Sequence, residues 1–69
     1  MNYHLEIEVN GKRRKKLTGE FGKIYDDLDA AENAMFYAVA EYSFTAGYEE
    51  GCIYVIDENG KIASGNAWD

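Results

Sequence analysis

Tyr3, Leu5, Ile7 and Val9 alternate with His4, Glu6 and Glu8, the period of two expected of a strand with one buried face. Asn10-Gly11 follows at once, and both residue types tolerate the positive φ of a two-residue hairpin turn. The pattern predicts a hairpin over residues 2–21. In its tightest register Glu8 lies opposite Arg13 and Glu6 opposite Lys15, pairs of opposite charge that stabilise by ~0.2–1 kcal/mol each. That register carries a difficulty. It turns Lys12, Arg14 and Lys16 toward the face of Leu5, Ile7 and Val9, so the hairpin is either short and splayed or shifted by a bulge near Leu17. Gly19 and Gly22 around Phe21 mark an irregular connection next.

A helical period takes over at Asp29, which with Glu32 three residues on has capping-box spacing. Asp26 and Asp27 add negative charge near the positive end of the helix dipole. The helix is expected over about residues 30–45, with Gly47 as its stop. At 100° per residue, Ala31, Ala34, Met35, Ala38, Val39 and Tyr42 share a smooth stripe suited to lying on a sheet. Phe36, Tyr37, Ala40 and Phe44 occupy the opposite side, which a surface helix ordinarily gives to charge. A last hairpin spans residues 52–68, with Ile53 to Ile56 as its first strand and Glu58-Asn59-Gly60 as its turn. Gly60 in the left-handed conformation pairs Asp57 with Lys61 and Ile56 with Ile62. The fold read from this order is α+β: an antiparallel sheet of about four strands (β-β-α-β-β) on one main helix, in a single domain over residues 1–69.

Size makes the core thin. A chain of 69 residues buries only about 60% of the surface that its unfolded form exposes. The one cysteine, Cys52, excludes an internal disulfide, and the one histidine, His4, leaves no soft-metal cluster. The chain is 46% hydrophobic and 14% aromatic, which places it among folded proteins. The alternating start is unlike a signal peptide, and no apolar run nears the roughly 20 residues that span a bilayer. A soluble, cytoplasmic protein is expected, without a membrane partner.

Little points to catalysis. His4 and Cys52 are the obvious nucleophilic pair, and their expected places near strand ends do not imply contact. Gly19-Glu20-Phe21-Gly22 lacks the lysine and hydroxyl of a phosphate-binding loop. Asp26, Asp27, Asp29 and Glu32 offer oxygen ligands to a hard cation, but the start of a helix is where acids belong. No enzyme, metal or cofactor is expected.

Charge changes the picture most. Lys12, Arg13, Arg14, Lys15 and Lys16 are consecutive, and the first 23 residues hold six cations and three carboxylates, a charge of +3. The last 46 hold ten carboxylates and one cation, a charge of −9, for a total of −6. The favoured reading is a protein-binding module. Asp26, Asp27, Asp29, Glu32, Glu49 and Glu50 would present fixed negative charge to a larger protein with a basic groove, mimicking the nucleic acid held there. Phe36, Tyr37 and Phe44 resemble the aromatic centre of an interface, whether with a partner or in a homodimer, unless the core takes them. Trp68 either closes the core or joins that surface. The alternative is a small homodimeric nucleic-acid-binding or regulatory protein that contacts phosphates through Lys12, Arg13, Arg14, Lys15 and Lys16. Direct nucleic-acid binding is disfavoured by a pI near 4.6, since such domains are typically basic overall.

The strand-first start, the helix opening Asp29-Ala30-Ala31-Glu32 and the hairpin turn Asp57-Glu58-Asn59-Gly60-Lys61 together resemble small acidic inhibitors of the anti-CRISPR type, encoded by phages and mobile elements. The resemblance is one of overall style across the whole chain, and it transfers no functional residue. It implies stoichiometric binding to a host complex such as a nucleic-acid-guided defence system, and for a phage-encoded protein the host cytoplasm.

Overall fold

Two strands, a helix and two further strands follow one another in the computed structural model, which describes residues 1–44 and 50–69. The expected helix stop at Gly47 and the candidate residue Glu49 lie outside the described residues. The elements are β1 (Tyr3–Val9), β2 (Lys15–Lys16), a turn of 3-10 helix (Gly19–Phe21), α1 (Leu28–Ser43), β3 (Gly51–Asp57) and β4 (Ile62–Trp68). The sheet is antiparallel throughout in the order β2-β1-β3-β4. Its centre is the β1–β3 pair, in register from Tyr3 opposite Asp57 to Val9 opposite Gly51. One face is covered by α1, so the fold is α+β as the pattern predicts.

The core draws small contributions from three parts of the chain. Leu5, Ile7 and Leu17 come from the first hairpin, Ala31, Met35 and Ala38 from α1, and Ile53 and Val55 from β3. Alanines at 31 and 38 let the helix backbone lie close to the sheet, while Met35 fills the space between them. Trp68 packs against the same cluster and so closes the core. Gly51 opposite it makes room: a Cβ there would meet the indole at 2.6 and 2.7 Å and the Glu8 carbonyl oxygen at 2.9 Å.

The first hairpin departs from its tightest register. Asn10 and Gly11 take positive φ (50° and 74°), and the Lys12 N–H donates to the Val9 carbonyl at 2.9 Å. One extra residue is then accommodated between Lys12 and Lys15. Ile7 lies opposite Lys15 and Glu6 opposite Lys16, in place of the expected Glu6–Lys15 and Glu8–Arg13 pairs. The slip sets Leu17, whose N–H donates to the Leu5 carbonyl at 3.1 Å, on the covered face, where it is 4% exposed. Unslipped, Leu17 would point to the open face. Burying a leucine is worth about 1.5–3 kcal/mol, against ~0.2–1 kcal/mol for an exposed charge pair. Burial wins. The hairpin is accordingly both short and bulged, with the bulge nearer the turn than Leu17. Beyond the 3-10 turn the chain returns to β1, and Tyr3 and Tyr25 exchange backbone hydrogen bonds of 2.7 and 2.8 Å.

The helix also starts earlier than expected. Asp27, not Asp29, is its N-cap, with Oδ1 accepting from the Ala30 N–H at 2.7 Å. Starting at Leu28 brings that leucine onto the inner stripe with Ala31, Met35, Ala38 and Tyr42, where it packs against the core; a cap at Asp29 would have left it outside the helix. Asp29 becomes an acid of the first turn. The last hairpin matches its sequence reading. Gly60 has φ 80°, Ile56 faces Ile62, and the Asp57 N–H donates to the Lys61 carbonyl at 2.9 Å. Asp57 Oδ1 accepts from the Asn59 and Lys61 N–H groups at 2.8 and 3.0 Å, which fixes the turn. A register shift follows between Val55 and Ile56, leaving Ala63 as the extra residue of β4.

Two substitutions separate the observed register from the unslipped one. Leu17→Ala should lower the free energy of unfolding by about 2–5 kcal/mol, while Lys16→Ala should stay within about 0.5 kcal/mol of the parent. Urea denaturation followed by circular dichroism reads both, and equal small effects would contradict the buried Leu17.

Candidate protein-binding surface

The aromatic side of α1 is not core. Phe36, Tyr37 and Phe44 are 54%, 74% and 90% exposed, because the alanine and methionine stripe already satisfies the sheet and the described residues supply no second layer. Tyr37 and Phe44 lie seven positions apart on one flank, and with Ala34 and Ala40 they form one wall of a groove of about 660 Å³. Phe21 and Tyr25 from the connection between β2 and α1 form the other wall. The Tyr3–Tyr25 backbone exchange holds that connection in place, and the Phe21 ring packs on Tyr42 of α1 with centroids 6.5 Å apart. Burial raises the Tyr25 pKa. Glu20, Lys23 and Glu41 also line the groove. Phe36 points from the helix 100° away from Tyr37, outside the groove, with Ala40 between them on the exposed face.

The acidic candidates divide into two places. Tyr3 bonds Tyr25 on one side and pairs with Asp57 on the other, so Asp26, Asp27 and Asp29 lie at the same end of the sheet as Asp57 and Glu58. This end is an acidic pole. Its members have structural roles as well: Asp27 caps α1, and Glu58 Oε1 accepts from the Asn2 N–H at 2.9 Å. Glu32 follows in the next turn of α1 and is half-buried. Glu50 stands at the other end, exchanging hydrogen bonds with Asn10 at 3.0 and 3.3 Å. The length of β1, about 20 Å at ~3.3 Å per residue, separates it from the pole.

The cationic run is also broken up. Lys12, Arg13, Lys15 and Lys16 are exposed, but Arg14 is drawn onto the sheet face away from α1. Its Nε donates to Glu6 Oε1 at 2.7 Å, and its guanidinium sits 5.4 Å from the centroid of the Tyr54 ring, within cation–π range. Glu6 is bonded on its other oxygen by His4 Nε2. Burial pushes the Glu6 pKa up, but hydrogen bonds from His4 and Arg14, together with their charges, outweigh it and hold the carboxyl below its ordinary 4.5. The Cys52 thiol, and then burial, raise the pKa of Tyr54. The period-two alternation had placed His4 and Glu6 on one face. Arg14 and Tyr54 could join them only once the slipped register and the β1–β3 pairing were known.

His4 and Cys52 do not form a dyad. His4 faces Ile56 and Cys52 faces Glu8, rows four residues apart on one face. Among the described residues no three His, Cys, Asp or Glu side chains converge as metal ligands, and no helix is long and apolar enough to cross a membrane. What the arrangement offers is contact: an aromatic-walled groove, an exposed phenylalanine beside it, and an acidic pole at the start of the same helix.

The depressed Glu6 pKa gives a signed expectation. A carboxyl stabilised in its charged form contributes stability above its unfolded pKa, and that stability is lost as pH falls through the lower folded value. The urea midpoint of the parent should therefore fall on acidification from about pH 5 to about pH 3, and Glu6→Gln should fall less. Identical acid limbs would show that the His4–Glu6–Arg14 network does not stabilise the fold.

No protein-family model, curated protein or solved structure matches the chain.

Proposed function

We propose that this protein is a non-catalytic binding module that docks on a larger protein through the outer face of α1 and obstructs a basic groove with its acidic pole. The observation that carries this reading is the exposure of Tyr37 and Phe44 on the wall of an apolar groove, with Phe36 exposed beside it. Aromatic side chains left in water forfeit roughly 25 cal/mol for each Å² that stays unburied. A partner that covers them recovers this energy, and aromatic residues supply much of the energy at interface centres. The charge of −6 favours approach to a cationic partner. Asp26, Asp27 and Asp29 stand at the N-terminal end of the same helix that carries the aromatic face. One docking pose can therefore use both features.

The partner class follows from that pairing. A groove that is basic because it holds nucleic acid would accept fixed carboxylates in place of phosphates, and a bound module would exclude its natural ligand one-to-one. With the style resemblance to phage-encoded inhibitors, this points to a nucleic-acid-guided defence complex as the target class. The cationic reading loses ground in two ways. Arg14 is occupied by Glu6 and Tyr54, and Glu8 and Glu50 stand near the Asn10-Gly11 tip.

The test compares two double variants as affinity baits in host lysate. Tyr37→Ser/Phe44→Ser should melt within a few degrees of the parent, because both residues are exposed. It should lose the captured partner at least about tenfold, the effect of ~1.4 kcal/mol. Lys12→Glu/Arg13→Glu should retain it. A partner kept by the first variant and lost by the second would sink the proposal in favour of the cationic hairpin.

A further inference from the structure

The two edges of the sheet are built differently. On one side β2 is two residues long, both lysines, and the edge of β1 beyond it is closed by Tyr25. A short, positively charged edge of this kind discourages the approach of another strand. On the other side β4 runs for seven residues, Ile62–Trp68, with no charge and no proline. It is the last strand in the sheet order. Such an edge is a template for a further strand.

We propose that β4 pairs antiparallel with β4 of a second copy, about a two-fold axis at Gly65, to join two sheets into one of eight strands. The sequence of this strand is what selects a second copy as the occupant. The antiparallel register with Gly65 opposite Gly65 pairs residues 63–67 and stops there, because Ala63 is the extra residue of β4, so that Ile62 lies on the open face and Trp68 on the covered one. Ser64 then faces Asn66 of the second copy and Ala63 faces Ala67, small or neutral groups that bring no like charges together. The run Ala-Ser-Gly-Asn-Ala therefore matches its own reverse without a clash of charge.

Charge on the larger scale agrees. β4 starts at the acidic pole, beside the Asp57–Gly60 turn, and ends opposite Gly51, toward the Asn10-Gly11 tip. Antiparallel pairing lays the acidic pole of each copy next to the less acidic end of the other. The seam is free of bulk on the open face, where Ala63, Gly65 and Ala67 are exposed. Tyr54 borders it: a Cβ on Gly65 would lie 3.1 and 3.4 Å from that ring. The row across the joined sheet is thus Tyr54, Gly65, Gly65 and Tyr54, and the rings shelter a glycine pair otherwise weak in a strand. A two-fold axis perpendicular to the sheet keeps both α1 helices on one side, so the pair presents two aromatic faces in the same direction.

The proposal is independent of the helix-face reading, and the experiment keeps the two apart. Sedimentation velocity follows the parent from micromolar to millimolar concentration, where its mass should rise from 7.8 kDa toward twice that value. Ala63→Lys/Ala67→Lys places lysine opposite lysine at two symmetric positions and should weaken association at least about tenfold. Ala63→Lys/Ala67→Glu places lysine opposite glutamate at the same positions and should restore it to within about threefold of the parent. Tyr37→Ser/Phe44→Ser should leave it unchanged. A parent that stays monomeric throughout, or two charge variants that associate alike, would overturn the proposal. So would a dimer dissolved by the helix variant alone. Should neither charge variant fold, amide exchange on the parent decides. Protection across residues 63–67 should rise with protein concentration, and protection independent of concentration excludes the seam.

Discussion

A single helix of 16 residues can cover one face of a four-stranded sheet and no more, and the rest of this molecule is arranged around that limit. The covered face takes most of the apolar side chains, down to Leu17, which is brought in by slipping the hairpin one residue, while Ile56 is buried on the other face beside His4. The helix contributes alanines so that it can lie close, and Trp68 folds over Gly51 to seal the end. The uncovered face has to be stable in water. It is organised by Glu6, which binds His4 and Arg14 on its two oxygens, with Tyr54 beneath the guanidinium. The outer side of the helix has no such organisation. Its aromatic residues are unexplained by folding, which is why they carry the functional reading.

The parts legible in the sequence are those decided by neighbours in the chain. Gly60 and Asp57 define the last turn between them, and the Ile56–Ile62 pairing follows from its length. The alternation from Tyr3 and the inner stripe of α1 are likewise local periodicities. The parts that were not legible depend on contacts between distant residues. Leu17 chooses the register because Leu5 and the helix wait on the covered face, and no local rule weighs that burial against two charge pairs. Asp27 displaces Asp29 as the cap because Leu28 has a core to join. The strand order, with β1 and β3 in the middle, is set by packing that neither hairpin encodes alone.

The candidate site divides along the same line. A helical wheel finds Phe36, Tyr37 and Phe44 together, yet it cannot say whether the surface they share is covered. The groove needs Phe21 and Tyr25, which belong to a connection with no periodicity and are placed by distant partners, Tyr42 for the one and Tyr3 for the other. Charges read as two blocks in the sequence also rearrange. Arg14 leaves the cationic run for the open face, and Glu50 parts from the other acids because the sheet carries it to the far end. The segregation survives in outline as an acidic pole around Asp26, Asp27, Asp29, Asp57 and Glu58.

The β1–β3 pairing has a consequence in time. Its partners, from Tyr3 with Asp57 to Val9 with Gly51, are the most widely separated in the sheet, and closing so long a loop carries an entropy that local contacts do not. On the ribosome the first hairpin and the helix are complete before β3 emerges. Until then the apolar faces of β1 and α1 have only each other. The central seam of the sheet is therefore a late event in synthesis, and the nascent chain must hold Leu5, Ile7 and Met35 in partial shelter until Ile53 and Val55 arrive to bury them.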